Sequence, residues 1–362
     1  MKSVSATPGA PAAAKASEAS EASAQRKVGE RLDDQPPRSF LGRVQRQMHA
    51  HPLLGPTAVL ILACVVFTAM VGPRFVDPLN ISLILQQVQI IGMVGIAQTL
   101  IILTSGIDLS VAAVMVFTTV ISGKLAAESG LPAVVALLIA LATGAACGLL
   151  NGILVTRFRV PPFISTLGTL SIFTALNLLA SGSQTIKANA LPDLLLWPGE
   201  TFRFLGAPVT YGSILVLLSF IAVAFVLKRT AWGEHIYAVG DNAEGARLSG
   251  IRTTRVLLSV YIVAGIICAI AGWLLIGRVG SVSPFSGEGV NLASITAVVI
   301  GGTSLFGGRG NVLGTLLGAL IIGVFSNGLT LAGVDVLWQV FTTGVLVIVA
   351  VGLDQWTRKV AG

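Results

Sequence analysis

Charge is what this sequence has least of. Of 362 residues, only 11 % are Asp, Glu, Lys or Arg, against about a quarter in an ordinary soluble domain. Residues 1–53 hold 13 of the 39 charged residues, which leaves 26 for the other 309. Most residues of a folded soluble domain still reach its surface, so this few charges cannot clothe one. Cysteine and histidine are as sparse. Cys64, Cys147 and Cys268 stand singly in apolar runs with no C-x-x-C, which argues against disulfides and zinc. His49, His51 and His235 form no metal-ligand spacing. There is no G-x-x-x-x-G-K-[ST], so the chain has no phosphate loop of its own. No apolar core of a signal peptide precedes Leu54. The Ala-, Ser-, Glu- and Lys-rich residues 1–53 are expected to form a disordered tail. The net charge of +7 comes from scattered basic residues without clustered aromatics, which excludes a nucleic-acid partner.

What is present in quantity is apolar sequence: 54 % of the chain is hydrophobic. A bilayer core about 30 Å thick takes roughly 20 apolar residues of helix. That ruler finds ten candidate spans: 54–71, 86–103, 109–126, 131–155, 162–180, 211–227, 256–276, 292–306, 313–332 and 336–353. The expected fold is an all-α, polytopic bundle over residues 54–353. Residues 354–362 form a C-terminal tail, and 228–255 is the largest polar segment between spans. With the N-terminus inside the cell, 18 of the 23 Lys and Arg fall on the inner side and five on the outer. That asymmetry supports an even number of crossings with both termini cytoplasmic.

Glycine numbers 41, well above the usual share. Gly144, Gly148 and Gly152 share one helix face, as do Gly310, Gly314 and Gly318. Small residues at that spacing let helices approach closely in lipid, either within a subunit or between subunits. Two further stretches, Leu103–Ser110 and Gly301–Asn311, read as breaks in otherwise apolar helices. Such breaks survive at membrane depth only where protein or a wet cavity satisfies the backbone, and in transporters they mark the substrate path. Asp108, the one carboxylate embedded in an apolar run, would cost about 2.5–3.5 kcal/mol at a helix centre. Three roles are open to it: N-terminal cap of the third span, hinge or subunit contact, or substrate contact. For an uncharged polar substrate the candidate path residues are Gln86, Gln87, Gln98, Asn151, Thr166 and Asn291. Asn and Gln between helices also serve simply to hold them together.

Within 228–255, Asp241-Asn242 suits a helix start, Ala243–Leu248 are mostly good helix formers, and Gly250 is a natural stop. A helix this short needs a partner surface, supplied by this chain or by another protein. The string AVGDNAEGARLSGI (Ala238–Ile251) resembles the cytoplasmic coupling loop of sugar-type permease subunits of bacterial ABC importers. Gly245 departs from that pattern, which has Ala there. LTSGIDLSV (Leu103–Val111), LLNGILVTRFRVPPFISTLGT (Leu149–Thr169) and AVVIGGTSLFGGRGNVLGTLLGALIIGVFSNGL (Ala297–Leu329) resemble the same family, with Ala112 where Gly is common. SGSQTI, FGGRG and DQWTRKV are most similar to its fructose branch, then to the ribose branch.

The resemblance implies a permease subunit rather than an enzyme, with no cofactor, in the bacterial inner membrane. It implies separate ATPase subunits docking on Gly240, Asp241, Asn242, Glu244, Ala246, Arg247, Leu248 and Gly250. It also implies an extracytoplasmic sugar-binding protein, a second permease copy and surrounding membrane lipid. The alternative class is an ion-coupled secondary sugar transporter or channel, which ordinarily carries several paired charges within its spans.

Overall fold

The structure is a computed structural model that describes residues 53–204 and 206–359. The expected N-terminal tail, apart from Leu53, and residues 360–362 lie outside the described residues. Among the described residues thirteen α-helices follow in order: α1 (Leu54–Val71), α2 (Pro78–Leu103), α3 (Val111–Ala127), α4 (Ala133–Thr156), α5 (Pro162–Ser181), α6 (Asp193–Leu196), α7 (Tyr211–Arg229), α8 (Ala231–Asp241), α9 (Ala243–Leu248), α10 (Thr253–Val279), α11 (Val290–Ile300), α12 (Val312–Leu331) and α13 (Val336–Lys359). Two small antiparallel sheets complete the fold. In one, β1 (Ile186–Lys187) pairs with β4 (Ser281–Val282); in the other, β2 (Thr201–Phe204) pairs with β3 (Ala207–Thr210).

Ten apolar helices stand at the ten positions read from hydropathy. Seven are long and apolar enough to cross a membrane, while those beginning at Val111, Val290 and Val336 are shorter apolar stretches. The bundle is polytopic and all-α. The third span begins at Val111 rather than Leu109, because the chain stays irregular through Ser110. The eighth span, read as 292–306, is instead α11, only 11 residues long. At about 1.5 Å per residue it covers roughly half of a bilayer core. Non-helical backbone, 301–311, follows it. The tenth helix does not stop at Leu353 but continues to Lys359.

Helix ends follow local chemistry. Asp77 accepts from the Leu79 N–H at 2.8 Å and Pro78 fills the first turn of α2. Asn311 accepts from the Leu313 N–H at 2.9 Å and starts α12. Helices α2, α10 and α12 form the interior: more than 60 % of the most apolar stretch of each is buried, against 17 % for α1 and 22 % for α7. The outer helices present Leu62, Leu138, Leu179 and Phe225 outward, the surface expected of a lipid-facing ring.

Both glycine trios are used within the chain. Gly144, Gly148 and Gly152 lie against α10, where Cβ atoms would run into Gly265, Tyr261 and Leu258. Gly314 and Gly318 lie against the backbone of Gly301 and Ala297, but Gly310 falls in the irregular run before α12 and does not share their helix face; it lies against the Thr303 side chain.

Contacts between loops sort them into two ends. At one end, β1 pairs with β4, Ser82 donates to the Pro208 carbonyl, and Asn327 donates to Asn80 at 2.9 Å. At the other, Ser105 donates to the Gly240 carbonyl, the Gly308 N–H donates to the Leu103 carbonyl, and the Leu109 N–H donates to Thr166. Successive interhelical connections thus alternate ends, as repeated crossings require. At the first end, Trp197 stacks on Tyr211 (5.2 Å between ring centres) and Trp273 (5.8 Å). Such an aromatic cluster suits a membrane–water boundary.

Candidate functional site: a tied helix break and an exposed loop helix

The break between α2 and α3 collects Asp108 and four of the six amide and hydroxyl residues put forward for the path, leaving Gln86 and Gln87 apart. Helix α2 ends at Leu103, and the chain turns through Ser105 in a left-handed conformation (φ 62°). The freed backbone groups of 107–112 then find side chains. Gln98 Nε2 donates to the Asp108 carbonyl at 2.6 Å. The Thr166 hydroxyl accepts from the Leu109 N–H and lies 3.2 Å from the Ile107 carbonyl. Asn291 does double service: its Nδ2 donates to the Leu109 carbonyl at 2.5 Å, and its Oδ1 accepts from the Ala112 N–H at 2.9 Å. Elements α2, α5 and α11 thus each send one amide or hydroxyl into the gap, which is how an irregular segment inside a membrane bundle is stabilised.

Asp108 is buried at 3 % exposure. It is not the N-terminal cap of α3. The residue preceding that helix is Ser110, in α-region geometry with no side-chain cap. Asp108 Oδ1 instead accepts from the Ser110 N–H at 2.6 Å and the Ser110 hydroxyl at 2.7 Å, bending the chain two residues early. Asn151 of α4 completes the arrangement, its Nδ2 donating to Ser110 Oγ at 2.8 Å and Asp108 Oδ2 at 3.3 Å. Gln86 lies apart, near the opposite end of α2, and donates to Ser82 of its own helix. Gln98 Oε1, Asn151 Oδ1 and the Tyr261 hydroxyl are buried without a hydrogen-bond partner. Tyr261 is a residue the sequence reading passed over, because its position in an apolar helix carries no pattern.

The polar segment between α7 and α10 forms two helices. The first, α8, begins where the Thr230 hydroxyl accepts from the Gly233 N–H, and it buries Gly233, Ile236, Val239 and Gly240. The expected start at Asn242 holds for the second. Asn242 Oδ1 accepts from the Gly245 N–H at 2.8 Å to open α9, and Gly250 (φ 89°) ends it. Ala246 is buried, as an inward face requires, but Leu248 is not: it is 78 % exposed. Beside it Arg247 grips Glu244 through two bonds, Nη2–Oε1 at 2.6 Å and Nε–Oε2 at 3.2 Å, both side chains in the open. The guanidinium holds the Glu244 carboxyl below its ordinary range and is itself raised in return. An exposed pair of this kind adds little to stability. A bared Leu next to a fixed ion pair is better suited to receiving another surface than to holding this one together. In α8, burial pushes the Tyr237 hydroxyl above its ordinary value, keeping it a neutral donor.

Residues 80–351 match the family described as the permease component of branched-chain amino acid transport systems. The chain belongs to this permease family. The fructose import permease protein of Rhizobium meliloti is 49 % identical over 327 residues, covering 90 % of this chain and 91 % of that one. The ribose import permease protein of Bacillus subtilis (strain 168) is 39 % identical over 303 residues, 83 % of this chain and 92 % of its own. The D-allose transport system permease protein of Escherichia coli (strain K12) is 32 % identical over 305 residues, 84 % and 92 % of the two chains. These relatives are sugar permeases, although the family's description speaks of amino acids. As a permease component the chain is a conduit, not an enzyme.

Proposed function

We propose that this chain is the membrane-spanning subunit of a binding-protein-dependent ABC importer for a monosaccharide of the fructose or ribose kind. The observation that carries the reading is the 49 % identity, over nine-tenths of the chain, to a fructose import permease. Separate ATPase subunits dock on Gly240–Ile251, and an extracytoplasmic sugar-binding protein docks at the end that carries β1–β4 and the hairpin β2–β3. Two copies enclose the path, and lipid covers the outer apolar faces. The 18-to-5 division of Lys and Arg supports a reading in which α8, α9 and both termini face the cytoplasm across the inner membrane. No observation favours an ion-coupled carrier.

The direct test is uptake by proteoliposomes holding permease, ATPase and binding protein, offered labelled fructose, ribose or allose outside and ATP inside. One of these sugars is expected to accumulate with ATP hydrolysis. Accumulation without ATPase subunits, driven by a proton or sodium gradient, would refute the reading. Purified permease alone should hydrolyse no ATP.

Glu244→Ala and Arg247→Ala are each expected to lower uptake severalfold while leaving the amount of protein in the membrane unchanged, checked by immunoblot against uptake rate. Because Arg247 lowers the Glu244 pKa, the ion pair is retained above the ordinary carboxylate range and breaks only as pH falls through that lowered value. Uptake near neutral pH therefore owes no pH dependence to this pair.

A further inference from the structure

Three segments far apart in the chain meet at one point: the turn after α2, the last turn of α8, and the run 301–311. The Ser105 hydroxyl lies 2.8 Å from the carbonyl of Gly240 and 2.8 Å from that of Phe306, and donates between them. The Gly308 N–H donates to the Leu103 carbonyl at 3.0 Å. The Tyr237 hydroxyl, from α8, donates to the Gly310 carbonyl at 2.9 Å. Glycines make this meeting close. A Cβ on Gly240 would run into the Leu103 carbonyl oxygen, one on Gly307 into Ser105 Oγ, and one on Gly308 would lie 2.7 Å from Asp241 Cα. Backbone therefore touches backbone, and there is no long side chain whose rotamers could absorb a displacement. Ser105 itself is held at φ 62°, a conformation that residues with a Cβ seldom adopt. One feature that favours it here is a hydroxyl aimed at two carbonyls.

We infer that Ser105 is a positioning residue that ties the loop carrying α8 and α9 to both helix breaks, so that a shift of that loop moves 104–110 and 301–311 together. The inference rests on the reading of α9 as the ATPase dock. It goes beyond that reading by saying where the motion is delivered: to the two irregular segments, through four backbone carbonyls, rather than along α10. The break at 104–110 is the one held by Gln98, Asn151, Thr166 and Asn291. Motion delivered there reaches every polar tie described above.

The test is hydrogen exchange of the permease–ATPase complex in lipid nanodiscs, comparing the nucleotide-free state with the state trapped by ATP and vanadate. It needs no knowledge of the sugar. In the unaltered complex, trapping is expected to change exchange in peptides covering 241–249, 103–109 and 301–311. In Ser105→Gly, which accepts the same φ without the hydroxyl, the change at 241–249 should persist. At 103–109 and 301–311 it should shrink about fivefold, the factor one neutral hydrogen bond commands. Tyr237→Phe, a gentler alteration that keeps Ser105, should reduce the change at 301–311 alone. Ser105→Asn tolerates the left-handed φ and restores a donor, so it should recover part of the signal. If both Ser105→Gly and Tyr237→Phe transmit like the unaltered protein, the tie is not the route and the inference fails. If trapping leaves 241–249 unchanged even in the unaltered complex, the docking reading itself fails and the inference with it.

Discussion

Gly148→Val should leave no folded permease to assay. A Cβ at that position runs into the Tyr261 carbonyl oxygen and would sit 2.8 Å from its carbonyl carbon and 3.1 Å from Ile262 Cα. All three are main-chain atoms of α10, so no rotamer change relieves the overlap. The adjoining contacts are of the same kind: Gly144 and Gly265 face one another across the seam, each against the other's carbonyl. Overpacking a flexible core costs about 1–3 kcal/mol. Here α4 and α10 must part along their length, which carries the cost past that range. In lipid, little hydrophobic gain drives the helices back together. Tyr261 also packs beside Gly106, so parting the seam disturbs the break between α2 and α3 as well. The expected result is aggregated protein on size-exclusion chromatography. Gly168→Ala is the matched control: it lies within α5, and beyond its own helix backbone and chain neighbours no atom lies within 4 Å of where its Cβ would stand. It should elute normally and melt no lower than the parent. A monodisperse, transport-competent Gly148→Val would show that α4 and α10 do not meet as described.

Hydropathy alone located all ten apolar helices, since crossing lipid demands long runs that few other structures need. Chain ends of the helices were legible where a cap is local, as at Asn242 and Gly250, because the bond spans three residues. Legibility failed wherever the deciding partner is remote. Nothing in Asp108-Leu109-Ser110 says that the carboxylate turns back on Ser110 rather than capping α3, because Asn151, 43 residues on, takes part in the choice. The exposure of Leu248 was likewise hidden. A six-residue helix has too few positions to define a face, and its orientation is set by Ala246 packing inward. The junction at Ser105 joins residues 135 and 201 positions apart through main-chain carbonyls, which no side-chain pattern advertises. The one trace it leaves in the sequence is the crowding of glycine at 240, 307 and 308.

Asp108→Ala and Asp108→Asn should separate sharply, and the difference distinguishes a structural carboxylate from one that carries protons or touches sugar. The Ala variant removes the acceptor of both the Ser110 N–H and the Ser110 hydroxyl, and Asn151 Nδ2 keeps only its bond to Ser110 Oγ, all in a buried setting. Each buried donor left unpaired costs about 1–3 kcal/mol, so the loss over the group is several kcal/mol. The turn at 107–112, which Gln98, Thr166 and Asn291 also hold, then loosens. Uptake should fall to background, with a lowered thermal midpoint. The Asn variant keeps an amide oxygen for both Ser110 donors. Its new NH2 group faces Asn151, whose Oδ1 is without a partner and can be brought round to accept, at the cost of the bond to Ser110 Oγ. Two bonds of the Asn151 amide are given up for one new bond, a net loss of about 1 kcal/mol. Asp108→Asn should therefore retain a substantial part of the parent's uptake and most of its thermal stability. A carrier that cycled a proton on Asp108 would lose transport equally in both variants. An Asp108→Asn protein that melts like the parent yet transports nothing would overturn the structural assignment.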